Sequence, residues 1–147
     1  EVVAHGVEAD KSIVQEALSV PFPFRNERLF SLLASHFDEG TSSFAAREGS
    51  LSLRVLVGDA RERIAEVPGL ADVVFFDAFS PKKQPELWTT EFFRDIFDKC
   101  ADGAALVTYS CARNVRENLA AAGFIVEDGP VVGRRGPATI GRATKHS

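Results

Sequence analysis

The 147-residue sequence lacks the segments that mark membrane-embedded and secreted proteins. No apolar run approaches the roughly 20 residues that a membrane-spanning helix needs. The first residues contain no basic stretch followed by an apolar core, so no secretory signal is visible. The hydrophobic share of 45% and the charged share of 26% are typical of a globular protein. We therefore expect a cytoplasmic protein without a membrane partner.

Residues that bind metals or form disulfides are also scarce. The sequence contains two cysteines, Cys100 and Cys111, and three scattered histidines, His5, His36 and His146. Their spacing matches no metal site. We expect buried or idle thiols in a reduced compartment and no bound metal.

Charge is unevenly distributed along the chain. The whole sequence has 17 basic and 21 acidic residues, a net charge of −4. The final segment, 129–147, contains four basic residues and no acidic one, which leaves 13 basic against 21 acidic residues and −8 in 1–128. Such a basic end could contact a polyanion locally, and the acidic body would repel one elsewhere. The alternative is a basic tail that is simply solvated.

The hydrophobic pattern predicts strands that alternate with helices. Helical spacing of apolar residues predicts helices at 11–19, 26–37 and 112–122, a short one with Ile64 and Val67, and one that begins after Thr89 or Thr90. Strands are predicted at 2–7, 51–57, 73–76, 104–109, 124–126 and near 139–140, with a polar loop at 41–50. The alternation indicates one α/β domain over 1–147 with a mostly parallel sheet. No helix separates the last two strands, so we expect an antiparallel pair at the C-terminal edge.

Three acidic residues follow successive predicted strands. Glu8 follows the first, Asp59 the second and Asp77 the third, where a proline-containing loop with two lysines begins. Open α/β sheets bind ligands beyond the carboxyl ends of their strands, so the three side chains are expected at one rim. A carboxylate there can accept both hydroxyls of a ribose, and another can accept from an adenine amino group. Each acid taken singly has the alternative role of a helix cap.

Five segments in order carry a resemblance to a known family. They are Gly58-Asp59-Ala60, the block from Phe76-Asp77-Ala78-Phe79-Ser80-Pro81-Lys82-Lys83 to Pro85-Glu86-Leu87-Trp88-Thr89, Thr108-Tyr109-Ser110 with Val115-Arg116, Ala122-Gly123-Phe124, and Gly133-Arg134-Arg135. From 2 to 143 the chain resembles the methyltransferase domain of the MnmC family. That resemblance implies a class I (Rossmann-like) methyltransferase fold that uses S-adenosylmethionine. It also implies methylation of the aminomethyl group on a modified wobble uridine of tRNA, which gives 5-methylaminomethyl-2-thiouridine.

The resemblance also implies roles for single residues. Glu8 would hold the cofactor ribose, Asp59 the adenine, and Ala60 belongs to the same cofactor motif. Asp77 would lie beside the transferring methyl group and the acceptor amine, as a base or only as an anchor. The modified base would be contacted by Phe79, Ser80 and Pro81, and phosphate or substrate by Arg134 and Arg135. Tyr109 could line the same pocket or be a core residue whose hydroxyl reaches the rim.

One expected element of such a fold is not visible. Class I methyltransferases begin with a central strand that ends in a glycine-rich loop, whereas this sequence contains no Gly-x-Gly and no initiating Met. We therefore expect an N-terminally truncated domain whose sheet closes the gap or borrows a strand from another chain. An exposed edge there would favour a homodimer.

Three functions are compatible with these patterns. The first is an S-adenosylmethionine-dependent methyltransferase that acts on tRNA. The second is a truncated, non-catalytic module of the same fold that serves in binding or assembly. The third is a methyltransferase for another small amine, which the acidic body favours slightly.

Overall fold

A computed structural model describes residues 1–21, 27–38, 40–131 and 136–145. The chain divides into two compact units, Glu1–Val67 and Pro68–Ser147, called here the first and the second unit. No helix in the described ranges is long and apolar enough to cross a membrane. The prediction of one domain over the whole chain stays a prediction.

The first unit contains a three-stranded sheet with helices between its strands. Its elements are β1 (Val2–Glu8), α1 (Lys11–Ser19), α2 (Glu27–His36), β2 (Ser43–Glu48), β3 (Leu51–Val57) and α3 (Ala60–Arg63), followed by a 3₁₀ turn (Ile64–Glu66). The strand order is β1-β3-β2, with β1 parallel and β2 antiparallel to β3. β1 is therefore an edge strand of this sheet.

The prediction of a loop at 41–50 was wrong, because β2 occupies most of that segment. Gly49 and Ser50 form a two-residue hairpin turn in which Gly49 takes a φ of +58°. Phe44 and Ala46 alternate with exposed residues and are buried against Leu29 and Leu33 of α2. Small and polar residues made the segment resemble a loop, but burial of one face stabilises it as a strand.

The second unit contains a four-stranded sheet. Its elements are β4 (Ala71–Phe76), a 3₁₀ turn (Pro85–Trp88), α4 (Thr90–Asp98), β5 (Cys100–Thr108), α5 (Arg113–Ala122), β6 (Phe124–Asp128) and β7 (Thr139–Ala143). The strand order is β4-β5-β7-β6, so β4 is an edge strand. β4 and β5 are parallel, and β7 is antiparallel to both β5 and β6. The predicted antiparallel pairing of the last two strands is confirmed, with β7 inserted between β5 and β6.

Local signals located the helix ends well. Asp10 caps α1 by accepting a hydrogen bond from the Ser12 backbone N–H at 2.8 Å. Thr89, one of two predicted candidates, caps α4 through the Phe92 N–H. Gly123 follows α5 at the C′ position with a φ of +113°. These caps satisfy backbone groups that a helix leaves unpaired at its ends.

Candidate active site

A pocket of about 400 Å³ opens at the carboxyl end of β4. It lies within the second unit and is lined by Asp77, Ala78, Phe79, Ser80, Lys83 and Tyr109. Phe76 of β4 pairs with Thr108 of β5, so Asp77 and Tyr109 each follow a strand at the same end of the sheet. Four of the predicted site residues therefore meet in one hollow. Pro81 follows Ser80 in the loop but does not line this pocket.

Two buried or half-buried side chains hold the backbone of the pocket loop. The Tyr109 hydroxyl donates to the Ala78 carbonyl oxygen at 3.0 Å, and the Trp88 Nε1–H donates to the Phe79 carbonyl oxygen at 2.7 Å. Trp88 is in turn held by Asn118, whose Nδ2 donates to the Trp88 carbonyl oxygen at 2.7 Å. Tyr109 thus has both of the roles that the sequence left open, because it lines the pocket and anchors its rim.

Aromatic side chains pack beneath the pocket loop. The ring of Phe76, the last residue of β4, lies 5.0 Å from that of Trp88 and 5.4 Å from that of Phe93, both in edge-to-face geometry. Trp88 and Phe93 are almost completely buried. The sequence analysis missed Trp88 and Asn118 as supports of the site, because the hydrogen bonds that define their roles join residues far apart in the chain.

The pocket presents a free carboxylate beside an exposed ring. Asp77 is solvent-exposed, and within the described part of the chain its carboxylate has no hydrogen-bond donor or cation as partner. Phe79 is 61% exposed, although a large apolar side chain gains stability from burial. An unpaired carboxylate next to an open aromatic surface suits a ligand that is both cationic and planar.

Two further predicted acids lie at the carboxyl end of the first unit's sheet. Glu8 is paired with Val57 in the ladder, and the Gly58 N–H donates to the Glu8 carbonyl oxygen at 2.9 Å. Asp59 follows directly, so the structure brings Glu8 and Asp59 to the same end of that sheet. Glu8 is half-buried, and its Oε1 accepts the Asp10 N–H at 2.9 Å.

Asp59 has the helix-cap role that the sequence left as its alternative. Its Oδ1 accepts the Arg61 backbone N–H at 2.9 Å, which caps α3. The Arg61 guanidinium also contacts both carboxylate oxygens in a fork. Hydrogen bonds from the Arg61 side chain, then from its backbone, hold the pKa of Asp59 below its usual value. The Asp59 carboxylate is therefore held in place by Arg61 in its ionised form.

The first unit has two carboxylates that can accept hydrogen bonds from a nucleoside cofactor. At one of them, Asp59, a contact with Arg61 would have to give way. Glu8 can accept from ribose hydroxyls while one of its oxygens keeps the Asp10 N–H. A carboxylate has about four lone-pair positions, and the described donors to the Asp59 carboxylate all come from Arg61. An adenine amino group would therefore replace a guanidinium contact of Asp59. Ala60, the first residue of α3, follows this carboxylate.

Two sequence predictions extend beyond what the structure describes. Glu8 and Asp59 lie in the first unit and Asp77 lies in the second, so a common rim for all three stays a prediction. Arg134 and Arg135 fall outside the described residues. Their predicted contact with substrate or phosphate likewise stays a prediction.

Comparison with known proteins identifies the relatives of this chain. A family model described as an S-adenosyl-L-methionine-dependent methyltransferase matches residues 27–144. The bifunctional tRNA 5-methylaminomethyl-2-thiouridine biosynthesis protein MnmC of Leptospira borgpetersenii serovar Hardjo-bovis (strain JB197) is 30% identical over 135 residues, 90% of this chain. The MnmC protein of Azoarcus sp. (strain BH72) is 39% identical over 94 residues, 64% of this chain.

A solved structure agrees with these matches. The crystal structure of MnmC2 from Aquifex aeolicus has a TM-score of 0.71 and 33% sequence identity over 98% of this chain. The Rossmann-like fold class and the resemblance to the MnmC methyltransferase domain are thereby confirmed. This chain covers 44% of the Aquifex chain, 21% of the Leptospira protein and 15% of the Azoarcus protein.

Proposed function

We propose a tRNA-modifying reaction for this chain, which belongs to the S-adenosyl-L-methionine-dependent methyltransferase family. The reaction is N-methylation of the aminomethyl group on a modified wobble uridine. The observation that carries the proposal is the pocket beyond β4, where an unpaired carboxylate, an exposed aromatic ring and a tyrosine surround one hollow. The MnmC proteins that the chain matches supply the tRNA substrate as a hypothesis. Such a substrate places the reaction in the cytoplasm.

The chemistry assigned to Asp77 follows from the charge of the acceptor. An alkylamine resembles lysine, whose pKa is about 10.4, and is mostly protonated at neutral pH. A protonated amine is attracted to the free Asp77 carboxylate, which can accept one of its protons and so free the nitrogen lone pair. The neutral amine, held in line with the methyl carbon, then forms the N–C bond as the bond between that carbon and the sulfonium sulfur breaks. S-adenosylmethionine, when bound, supplies the electrophilic methyl group.

The remaining residues bind and position the two ligands. We assign Phe79 and Tyr109 to the planar base, and Ser80 to its polar edge, with Pro81 shaping the loop that carries them. Glu8 would hold the cofactor ribose, and Asp59 with Ala60 the adenine. Arg134 and Arg135 are proposed to contact phosphate or substrate. This assignment requires the two units to act together as one domain.

A substitution of Asp77 tests the proposal directly. We expect Asp77→Asn to lower kcat for methylation of undermodified tRNA by about 100-fold or more, since general acid–base groups contribute roughly 10²–10⁴-fold. Binding of S-adenosylmethionine should change little. The matched control is Asp72→Asn, since Asp72 is an exposed acid on β4, the strand that precedes Asp77, and does not line the pocket. Transfer of labelled methyl to tRNA and calorimetric titration of the cofactor measure both quantities.

The alternatives predict different results in the same assays. A non-catalytic module would transfer no methyl group to tRNA. It would also show no cofactor binding, so Glu8→Ala and Asp59→Ala would have no binding signal to abolish. A methyltransferase for another small amine would methylate that amine but not the tRNA. Unchanged kcat in Asp77→Asn would overturn the assigned role of this residue.

Self-association is a further part of the proposal. β4 is an edge strand, and Val73 and Phe75 on one of its faces are 49% and 83% exposed. An apolar edge strand favours pairing with another chain. We therefore propose a homodimer that pairs through an exposed sheet edge.

A further inference from the structure

Lys83 is the one cation among the described residues that line the pocket. A turn positions it, because the Ser80 carbonyl oxygen accepts the Lys83 N–H at 2.8 Å and the Gln84 N–H at 3.0 Å. The Lys83 ammonium lies 5.9 Å from the centroid of the Phe79 ring. Lys82, its neighbour, is also exposed but does not line the pocket. The turn thus gives two adjacent lysines different surroundings.

The Lys83 ammonium has unused hydrogen-bonding capacity. Its described contact is the Phe79 ring, and in the described ranges no carboxylate pairs with its Nζ. An ammonium carries three donors and no acceptor. Those donors suit an anionic group with several oxygens, and a phosphate is such a group.

The negative charge of Asp77 and the positive charge of Lys83 in this pocket favour some substrates over others. A free small amine is a cation, so it is attracted by Asp77 and repelled by Lys83. A nucleotide that carries an aminomethyl group has a cation on its base and an anion on its backbone, so each charge of the pocket meets its opposite. Phe79 lies between Asp77 and Lys83 in the loop, and its ring can contact the base itself.

We propose that Lys83 binds a backbone phosphate of the nucleotide whose amine contacts Asp77. This inference rests on the proposed function and assigns to Lys83 the discrimination of a nucleotide from a free amine. Lys83 is a specificity-determining residue under this assignment, because its contribution is to substrate binding and not to the transfer of the methyl group.

The test compares Lys83→Gln with the matched control Lys82→Gln, using undermodified tRNA. We expect Lys83→Gln to raise KM about tenfold at low salt and to change kcat by less than about twofold. The slope of log KM against log salt concentration should become shallower by about 0.7 to 1, the value for one lost phosphate contact. Lys83→Arg should restore KM, and Lys82→Gln should keep the values of the unsubstituted chain.

Two results would overturn the inference. One is unchanged KM and salt slope in Lys83→Gln, and the other is an equal change in both glutamine variants, which would indicate a general charge effect. Equilibrium binding of the same tRNA is measured in parallel by fluorescence anisotropy. A chain that binds tRNA through Lys83 but transfers no methyl group contradicts the proposed reaction alone, whereas a chain that binds no tRNA contradicts both.

Discussion

The three acids at the carboxyl ends of β1, β3 and β4 differ in the hydrogen-bond partners of their carboxylates. Glu8 accepts a backbone N–H, Asp59 accepts a backbone N–H and a guanidinium fork, and Asp77 has neither kind of partner in the described part of the chain. A carboxylate that already accepts several hydrogen bonds contributes to stability, whereas an unpaired one is available to a ligand. Asp77 is accordingly the strongest candidate for contact with a substrate amine.

The pairing of Asp59 with Arg61 leads to a pH-dependent prediction. The pKa of Asp59 is lowered in the folded chain from its ordinary value of 3.8, so its contribution to stability is present above that value. It is lost as the pH falls through the lower, folded-state pKa. We expect Asp59→Asn to reduce the free energy of unfolding at neutral pH, with the difference shrinking below pH 3.8. Asparagine keeps the cap of α3, so the comparison isolates the charge.

Urea unfolding at a series of pH values measures this difference. The double variant Asp59→Asn, Arg61→Gln serves as the control, since it should lose little more stability than Asp59→Asn if the two residues act as a pair. A difference between Asp59→Asn and the unsubstituted chain that stays constant down to acidic pH would contradict the prediction.

At the scale of elements, the strand β2 shows how packing overrides composition. The segment Ser43–Glu48 contains two alanines and flanking polar residues, a composition that predicted a loop. Gly49 and Ser50 form a turn that a two-residue hairpin requires, and this signal could have identified the strand pair. Burial of Phe44 and Ala46 against α2 also stabilises β2, and a contact between two separate elements is not visible in a local pattern.

Replacement of Phe44 tests the packing of β2 on α2. Phe44 is 5% exposed, and its ring lies 5.3 Å from that of Phe37. We expect Phe44→Ala to reduce the free energy of unfolding by about 3–5 kcal/mol, since a buried ring is lost and a cavity remains. Ala45→Ser, on the exposed face of the same strand, should change it by less than about 0.5 kcal/mol. Equal effects of the two variants in urea unfolding would show that β2 does not contribute a packed face.

At the scale of the whole molecule, the sheet order determines which strands are edges. β1 is an edge of the first unit's sheet and β4 is an edge of the second unit's sheet. An edge strand has backbone N–H and C=O groups on its outer side that no neighbouring strand pairs. The exposed Phe75 adds an apolar side chain to such an edge.

Substitution at the β4 edge tests the proposed homodimer. We expect the unsubstituted chain to self-associate with increasing concentration in analytical ultracentrifugation. Phe75→Lys should weaken that association, since a charge on an edge strand opposes pairing. The control is Leu70→Lys, because Leu70 is 61% exposed but precedes the strand. A monomer at every concentration, or equal weakening by both variants, would exclude pairing through β4.

The sequence by itself determined the helices and strands with strong periodicity, the start of α4 after Thr89, and the motif that identifies the family. These features depend on neighbours within a few residues, so local rules suffice to predict them. The tertiary structure decided that β2 is a strand and that β7 lies between β5 and β6. It also decided that Asp59 is paired while Asp77 is not, and that Lys83 lines the pocket while Lys82 does not. Each of these depends on which side chains and backbone groups the folded chain brings together, and apart from the Gly49-Ser50 turn no local pattern indicates them.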